Sequence, residues 1–163
     1  MKLKSKTEYR VSVLNRIYED FRENLTDDFR TKEIEVLKAE CFKNLHKISF
    51  EQFKKEGNSK KKSQELCNKS VRRYSFHHHV CDIQYDLNGY TVSILIGRGQ
   101  STQTFFESLG RALTASLKFD FVCLLFIDLS PEMSIKGFVD EEDGEILREE
   151  VLWQPHNIKT FVL

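Results

Sequence analysis

The residues with the most chemical potential gather around the segment CDIQYDLNGYTVSILIGRG, Cys81 to Gly99. Asp82 and Asp86 fall on one face of a strand there, because side chains of a strand alternate sides. Carboxylates that share a sheet face can hold a hard dication such as magnesium, which takes oxygen ligands. Just upstream, FHHHVCD places His77, His79 and Cys81 on the other face, where a His-x-His pair can grip zinc through neutral imidazoles. That face continues through Ile83 and Tyr85, which reads as core, and no second ligand pair stands at zinc spacing. His77 and His79 are therefore weak candidates and the expected resident metal is none, while His78 shares the polar face with Asp82.

A second chemistry is phosphate binding. Lys54, Lys55, Lys60, Lys61, Lys62, Lys69, Arg72 and Arg73 crowd one stretch, and such cations hold a nucleic-acid backbone without reading its sequence. Lys60, Lys61, Lys62, Arg72 and Arg73 are the candidate DNA or RNA contacts, with only Tyr74 and Phe76 as interleaved aromatics. The zero net charge of the 163-residue chain hides a division: residues 1–75 hold 19 Lys and Arg against 12 acids, and residues 76–163 hold 6 against 13. Such asymmetry suits a charged partner for the basic N-terminal half, or mutual attraction of the two halves.

Several classes lack their signatures. Gly97-Arg98-Gly99 has neither the further glycines nor the lysine of a phosphate cradle, and no Gly-x-Ser-x-Gly or Cys/His nucleophile arrangement occurs. The four cysteines form no CxxC pair, so free buried thiols are expected. With no apolar run of membrane length and no leader-like start, the expectation is a cytoplasmic or otherwise intracellular protein with no membrane partner.

The elements that position these residues follow from periodicity. Val11, Leu14, Tyr18, Phe21 and Leu25 line one face of a helix, and Ile34, Leu37, Cys41, Leu45 and Ile48 line a second. Ser49 and Gln52 predict a capping box opening a short third helix. EGNSKKKSQ predicts an exposed loop, and QELCNKSVRRYSF a helix up to about Arg72. Asn88-Gly89 predicts a type I′ hairpin that sets Leu87 against Tyr90, Tyr85 against Val92, Ile83 against Ile94, Cys81 against Ile96 and Asp82 against Leu95. On its polar face Asp82 and Asp86 are expected to be solvated. Thr104 and Glu107 predict a second capping box, ahead of a helix whose apolar stripe is Phe106, Leu109, Leu113 and Leu117. FVCLLFIDL predicts a strand buried on both faces. SIKGFV reads as a strand, DEEDGE as a turn and IKTFVL as a terminal strand, all within one domain of 163 residues.

This order, with YTVSILIGRGQSTQTFFESLGRALTASLKFDFVCLLFID at its centre, resembles the PD-(D/E)XK superfamily of restriction-endonuclease-like nucleases over residues 76–128. The resemblance implies an α/β fold: a mixed sheet with N-terminal helices and a central hairpin–helix–strand unit. It also implies a catalytic pattern, an Asp on one hairpin strand and an acid two residues before a Lys on the next. Matching residue by residue puts Asp82 at the Asp position and Leu95 and Gly97 at the acid and lysine positions; a two-residue shift offers Ser93 and Leu95. The first expectation is therefore a nuclease-fold protein that no longer cuts by the usual metal mechanism and acts as a nucleic-acid-binding or regulatory subunit. The alternative is an active magnesium-dependent nuclease built on Asp82, Asp86 and Glu107, Glu107 standing in as a migrated acid, with magnesium as cofactor only in that case. A third expectation, from another class, is a protein-interaction module, a homodimer or part of a larger complex, using the exposed faces of the two N-terminal helices.

Overall fold

The computed structural model describes residues 6–74, 81–87 and 89–163, with side chains from residue 12 onward except that of Leu87. His77, His78 and His79 lie outside the described residues, and with them the zinc candidates. The chain opens with α1 (Lys6–Glu23), α2 (Ile34–Lys55) and α3 (Lys60–Ser70), followed by strands β1 (Val71–Arg73), β2 (Ile83–Leu87) and β3 (Tyr90–Gly99). Then come α4 (Thr102–Ser116), β4 (Phe121–Asp128), α5 (Ser134–Asp140), α6 (Glu142–Ile146), a π-helical segment Leu147–Trp153, α7 (Gln154–His156) and β5 (Ile158–Val162). The five strands form one mixed sheet in the order β1-β2-β3-β4-β5. β1–β2 and β2–β3 pair antiparallel, whereas β3–β4 and β4–β5 pair in parallel.

The hairpin forms in the expected register: Ile83 pairs with Ile94, Tyr85 with Val92, Asp86 with Thr91 and Leu87 with Tyr90. Gly89 takes φ of +82° at its corner, a left-handed conformation that costs glycine little. Alternation along β3 and β4 then builds two cores. Val92, Ile94, Ile96, Phe121, Cys123 and Leu125 meet α1 and α2 on one face through Leu14, Ile17, Phe21, Cys41 and Leu45. Leu95, Val122, Leu124 and Phe126 meet α4 to α5 on the other, through Phe105, Leu109, Ala112, Ala115, Ile135 and Val139. All eight residues of β4 are buried, as its unbroken apolar run predicts. The four cysteines are buried free thiols.

Several expectations need correction. α2 runs unbroken to Lys55, since Ser49 continues the buried stripe of Leu37, Cys41 and Leu45 and opens no new helix. Lys60, Lys61 and Lys62 form the first turn of α3, whose N-cap Ser59 accepts from the Lys62 N–H; the helix ends at Ser70, and Val71–Arg73 is a strand. SIKGFV is helical because Ile135 and Val139, one turn apart, both reach the core, and 142–146 is a helix as well. The capping box of α4 is Ser101 with Thr104, one turn earlier than expected. Most consequentially, α4 is rotated. Phe105, Ser108, Leu109, Ala112 and Ala115 face inward, while Phe106, Leu113 and Leu117 are 50%, 38% and 83% exposed.

Candidate functional site

Asp82 sits where β2 begins and the carboxyl end of β3 passes, an end of the sheet where α/β proteins commonly place ligand sites. Its own N–H donates to the Ile94 carbonyl and its carbonyl accepts from the Tyr74 N–H, so the backbone holds it rigidly. The side chain is 6% exposed, contrary to the solvated face expected, and both oxygens are taken. Oδ2 accepts from the Ile96 N–H at 2.8 Å. Oδ1 meets Lys38 Nζ of α2 at 3.0 Å and Arg111 Nη2 of α4 at 3.2 Å. Lys38 also bonds Glu35 at 2.9 Å, and Glu35 accepts from Arg73 at 3.1 Å. Partial burial works to raise the Glu35 carboxyl, but Lys38 and Arg73 outweigh it and hold it below the usual carboxylate range. The result is an alternating chain of charge, Arg73–Glu35–Lys38–Asp82–Arg111, that ties both helical layers to the hairpin.

The positions that would complete a metal site are closed. Leu95 is fully buried in the α4-side core. At Gly97 a Cβ would lie 2.7 Å from Ser108 Oγ and 3.0 Å from the Phe126 ring, so no lysine fits. A hard dication needs several oxygens at about 2–2.6 Å, and here one carboxylate is already neutralised by two side-chain cations. Magnesium therefore does not fit these residues. Among the described residues no three His, Cys, Asp or Glu side chains gather closely enough to hold a metal.

The other sequence candidates separate. Asp86 lies four residues from Asp82, about 13 Å along a strand, and belongs to another network: it accepts from Arg72 at 2.6 Å and from Gln84 at 2.7 Å, and Gln84 accepts from Tyr74 at 2.6 Å. Glu107 is exposed and accepts from Gln103 at 3.1 Å. With Lys38, Arg98, Thr104, Ser108 and Arg111 it lines a cleft of about 390 Å³, which thus includes the two cations that hold Asp82. Arg98 is anchored there by the Lys32 carbonyl. Asp128, at the end of β4, is fully buried and structural: its oxygens accept from the Ser130 N–H and hydroxyl and from the Lys136 N–H.

The basic candidates divide likewise. Arg72 and Arg73 are committed to Asp86 and Glu35, whereas Lys60, Lys61 and Lys62 are exposed on α3. Lys60 and Lys61 lie one turn before Gln64, which lines a groove of about 350 Å³ between α2 and α3 with Phe42, Lys43, His46, Lys47 and Phe50. The sequence offered only Tyr74 and Phe76 as aromatics among these cations; α2 supplies Phe42 and Phe50 from its adjoining face. His46 is held by Asn68 at 2.9 Å. Compared with protein-family models, with curated proteins and with solved structures, the chain matches none.

Proposed function

We propose that this chain is a restriction-endonuclease-like protein that does not cut by metal-dependent hydrolysis and instead binds nucleic acid, as a binding or regulatory subunit, through the α2–α3 groove. The observation that carries it is the state of Asp82. The one acid at the expected hairpin position is held by Lys38 and Arg111, while Leu95 lies wholly in the apolar core and a side chain at Gly97 would meet Ser108 and Phe126. The hairpin arm β3, the helix α4 and the parallel buried strand β4 support the fold assignment, since this is the unit the resemblance implies.

The groove supports the binding half. Half-exposed Phe42 and Phe50 line the groove with Lys43 and Lys47, aromatics for bases beside charge for phosphates, and Lys60 and Lys61, exposed one turn before Gln64, add further charge. This pairing favours single strands, whose bases are free to stack. Fluorescence anisotropy with a labelled single-stranded oligonucleotide at low salt tests it. Replacing Lys43, Lys47, Lys60 and Lys61 with Gln should weaken binding at least tenfold and flatten the dependence of log K on log salt by about 0.7 per lysine in contact. Arg72→Gln and Arg73→Gln should change it little, and undiminished binding by the lysine variant would remove the nucleic-acid half. Incubation with plasmid or RNA plus magnesium or manganese tests the other half; cleavage that disappears in Asp82→Ala would overturn it.

A further inference from the structure

We infer that the outer face of α4 is a self-association surface that pairs two copies of this chain antiparallel about Gly110. Large apolar side chains exposed among the described residues are Val36, Phe106, Leu113, Leu117, Ile146 and Val151, and all but Val36 belong to the layer that α4 shares with α5 to α7. On α4 the outward stripe is Phe106, Gly110, Leu113 and Leu117, spaced by four, three and four residues. That spacing reads the same in both directions. When two such helices run antiparallel, Phe106 falls opposite the second copy's Leu117, and each Leu113 falls opposite a Gly110, a knob against a gap. A Cβ at Gly110 would have no neighbour within 4 Å in one chain, so the gap is open to a side chain from outside.

Charge selects the same arrangement. The exposed flank of the stripe carries Gln103, Glu107, Thr114 and Lys118, with one acid near one end and one base at the other. At 100° per residue Glu107 and Lys118 lie on the same flank, and antiparallel pairing brings each Glu107 within about 3 Å axially of the second copy's Lys118, twice over. Parallel pairing would put the two copies' Glu107–Lys118 flanks on opposite sides of the seam, where they make no such contact. The 15 residues of α4 span about 22 Å, which supplies less than the roughly 800 Å² per partner of a standard interface. The dimer is therefore a weak one.

Sedimentation equilibrium on the full chain should show a monomer–dimer equilibrium with Kd between about 1 and 100 μM. Gly110→Gln fills the gap in a position with open space and better helix propensity, so its urea midpoint should not fall while its dimer Kd rises at least tenfold. Glu107→Lys should weaken the dimer severalfold, and Glu107→Lys with Lys118→Glu should restore it. A chain that stays monomeric at about 1 mM, ten times the weakest Kd expected, would overturn the inference. So would a dimer indifferent to Gly110→Gln, which would place association on another face, or one that the charge exchange fails to restore.

Discussion

Neutralising Asp82 separates an ionic staple from a vacant metal site by the sign of its effect. Lys38 Nζ and Arg111 Nη2 each lie about 3 Å from the same oxygen, and therefore no more than about 6 Å from each other. In Asp82→Asn the amide oxygen can still accept from the Ile96 N–H, but the two cations lose the charge between them. At an effective permittivity of about 20 they repel by about 3 kcal/mol, and at that of water by under about 1 kcal/mol. Removing one member of a buried pair costs about 3–5 kcal/mol. The Lys38 and Arg111 side chains keep 16% and 33% of their exposure, so solvent screens part of that, and about 2–3 kcal/mol is expected. In a domain of this size that lowers the melting temperature by roughly 4–12 °C.

Urea unfolding followed by circular dichroism measures the loss. Arg111→Met in the Asp82→Asn background should recover part of it, because the second change removes a cation that has lost its carboxylate at Asp82, giving a coupling of at least about 1 kcal/mol. An acid kept for a metal behaves otherwise, since removing a charge held for a missing ligand relieves the fold. Were Asp82→Asn neutral or stabilising, or were the two changes additive within about 0.3 kcal/mol, the staple would be refuted and the metal reading would regain its basis.

Two further outcomes follow from the same end of the sheet. Gly97→Ala places a Cβ 2.7 Å from Ser108 Oγ and should cost about 1–3 kcal/mol; adding Ser108→Ala, which removes the nearest atom, should return part of that in urea titrations, and a neutral Gly97→Ala would show that α4 is not held tightly there. Burial works to raise the Asp128 carboxyl, but its bonds to Ser130 and the Lys136 N–H, with Arg30 nearby, outweigh it and hold it below its ordinary 3.8. A carboxyl lowered by folding contributes stability above its unfolded value and loses it as pH falls through the folded one. Stability measured by urea across pH should thus decline below about pH 4, and Asp128→Asn should lose about 1–3 kcal/mol near neutrality with a shallower acid decline; an unchanged acid slope would contradict the assignment.

What was legible in the sequence was local. Asn88-Gly89 and the alternation around it carry the hairpin register, because a two-residue turn leaves the arms one way to pair. The unbroken run of β4 is equally plain. The partners of Asp82 were not legible: Lys38 arrives from a helix on one face of the sheet and Arg111 from a helix on the other, and no local period links a strand acid to cations so distant in sequence. SIKGFV reads as a strand only by the β-forming types Ile135, Phe138 and Val139; their i, i+3, i+4 spacing is that of a helix, as which it packs. Val71–Arg73 becomes a strand because β2 offers it an edge, which no three-residue pattern announces.

The misread face of α4 and the closed metal site have one cause. Hydrophobicity alone turns the stripe of Phe106, Leu109, Leu113 and Leu117 inward, yet of these only Leu109 is buried, and Phe105, Ser108, Ala112 and Ala115 join it on the inner face. Gly97 has no side chain, so Ser108 and Phe126 close over it, and small residues along α4 are what let the helix come that near. A lysine at position 97 would push the helix away and free it to turn its larger residues inward. The contact that leaves no space for a side chain at position 97 thus also sets the rotation of α4, aims Arg111 at Asp82, and leaves Phe106, Leu113 and Leu117 outside for a second copy to cover. The exclusion of a side chain at position 97 and the apolar outer surface of α4 are then two consequences of one close approach. A variant that loosens Gly97 against Ser108 should disturb the Asp82 staple and the dimer together.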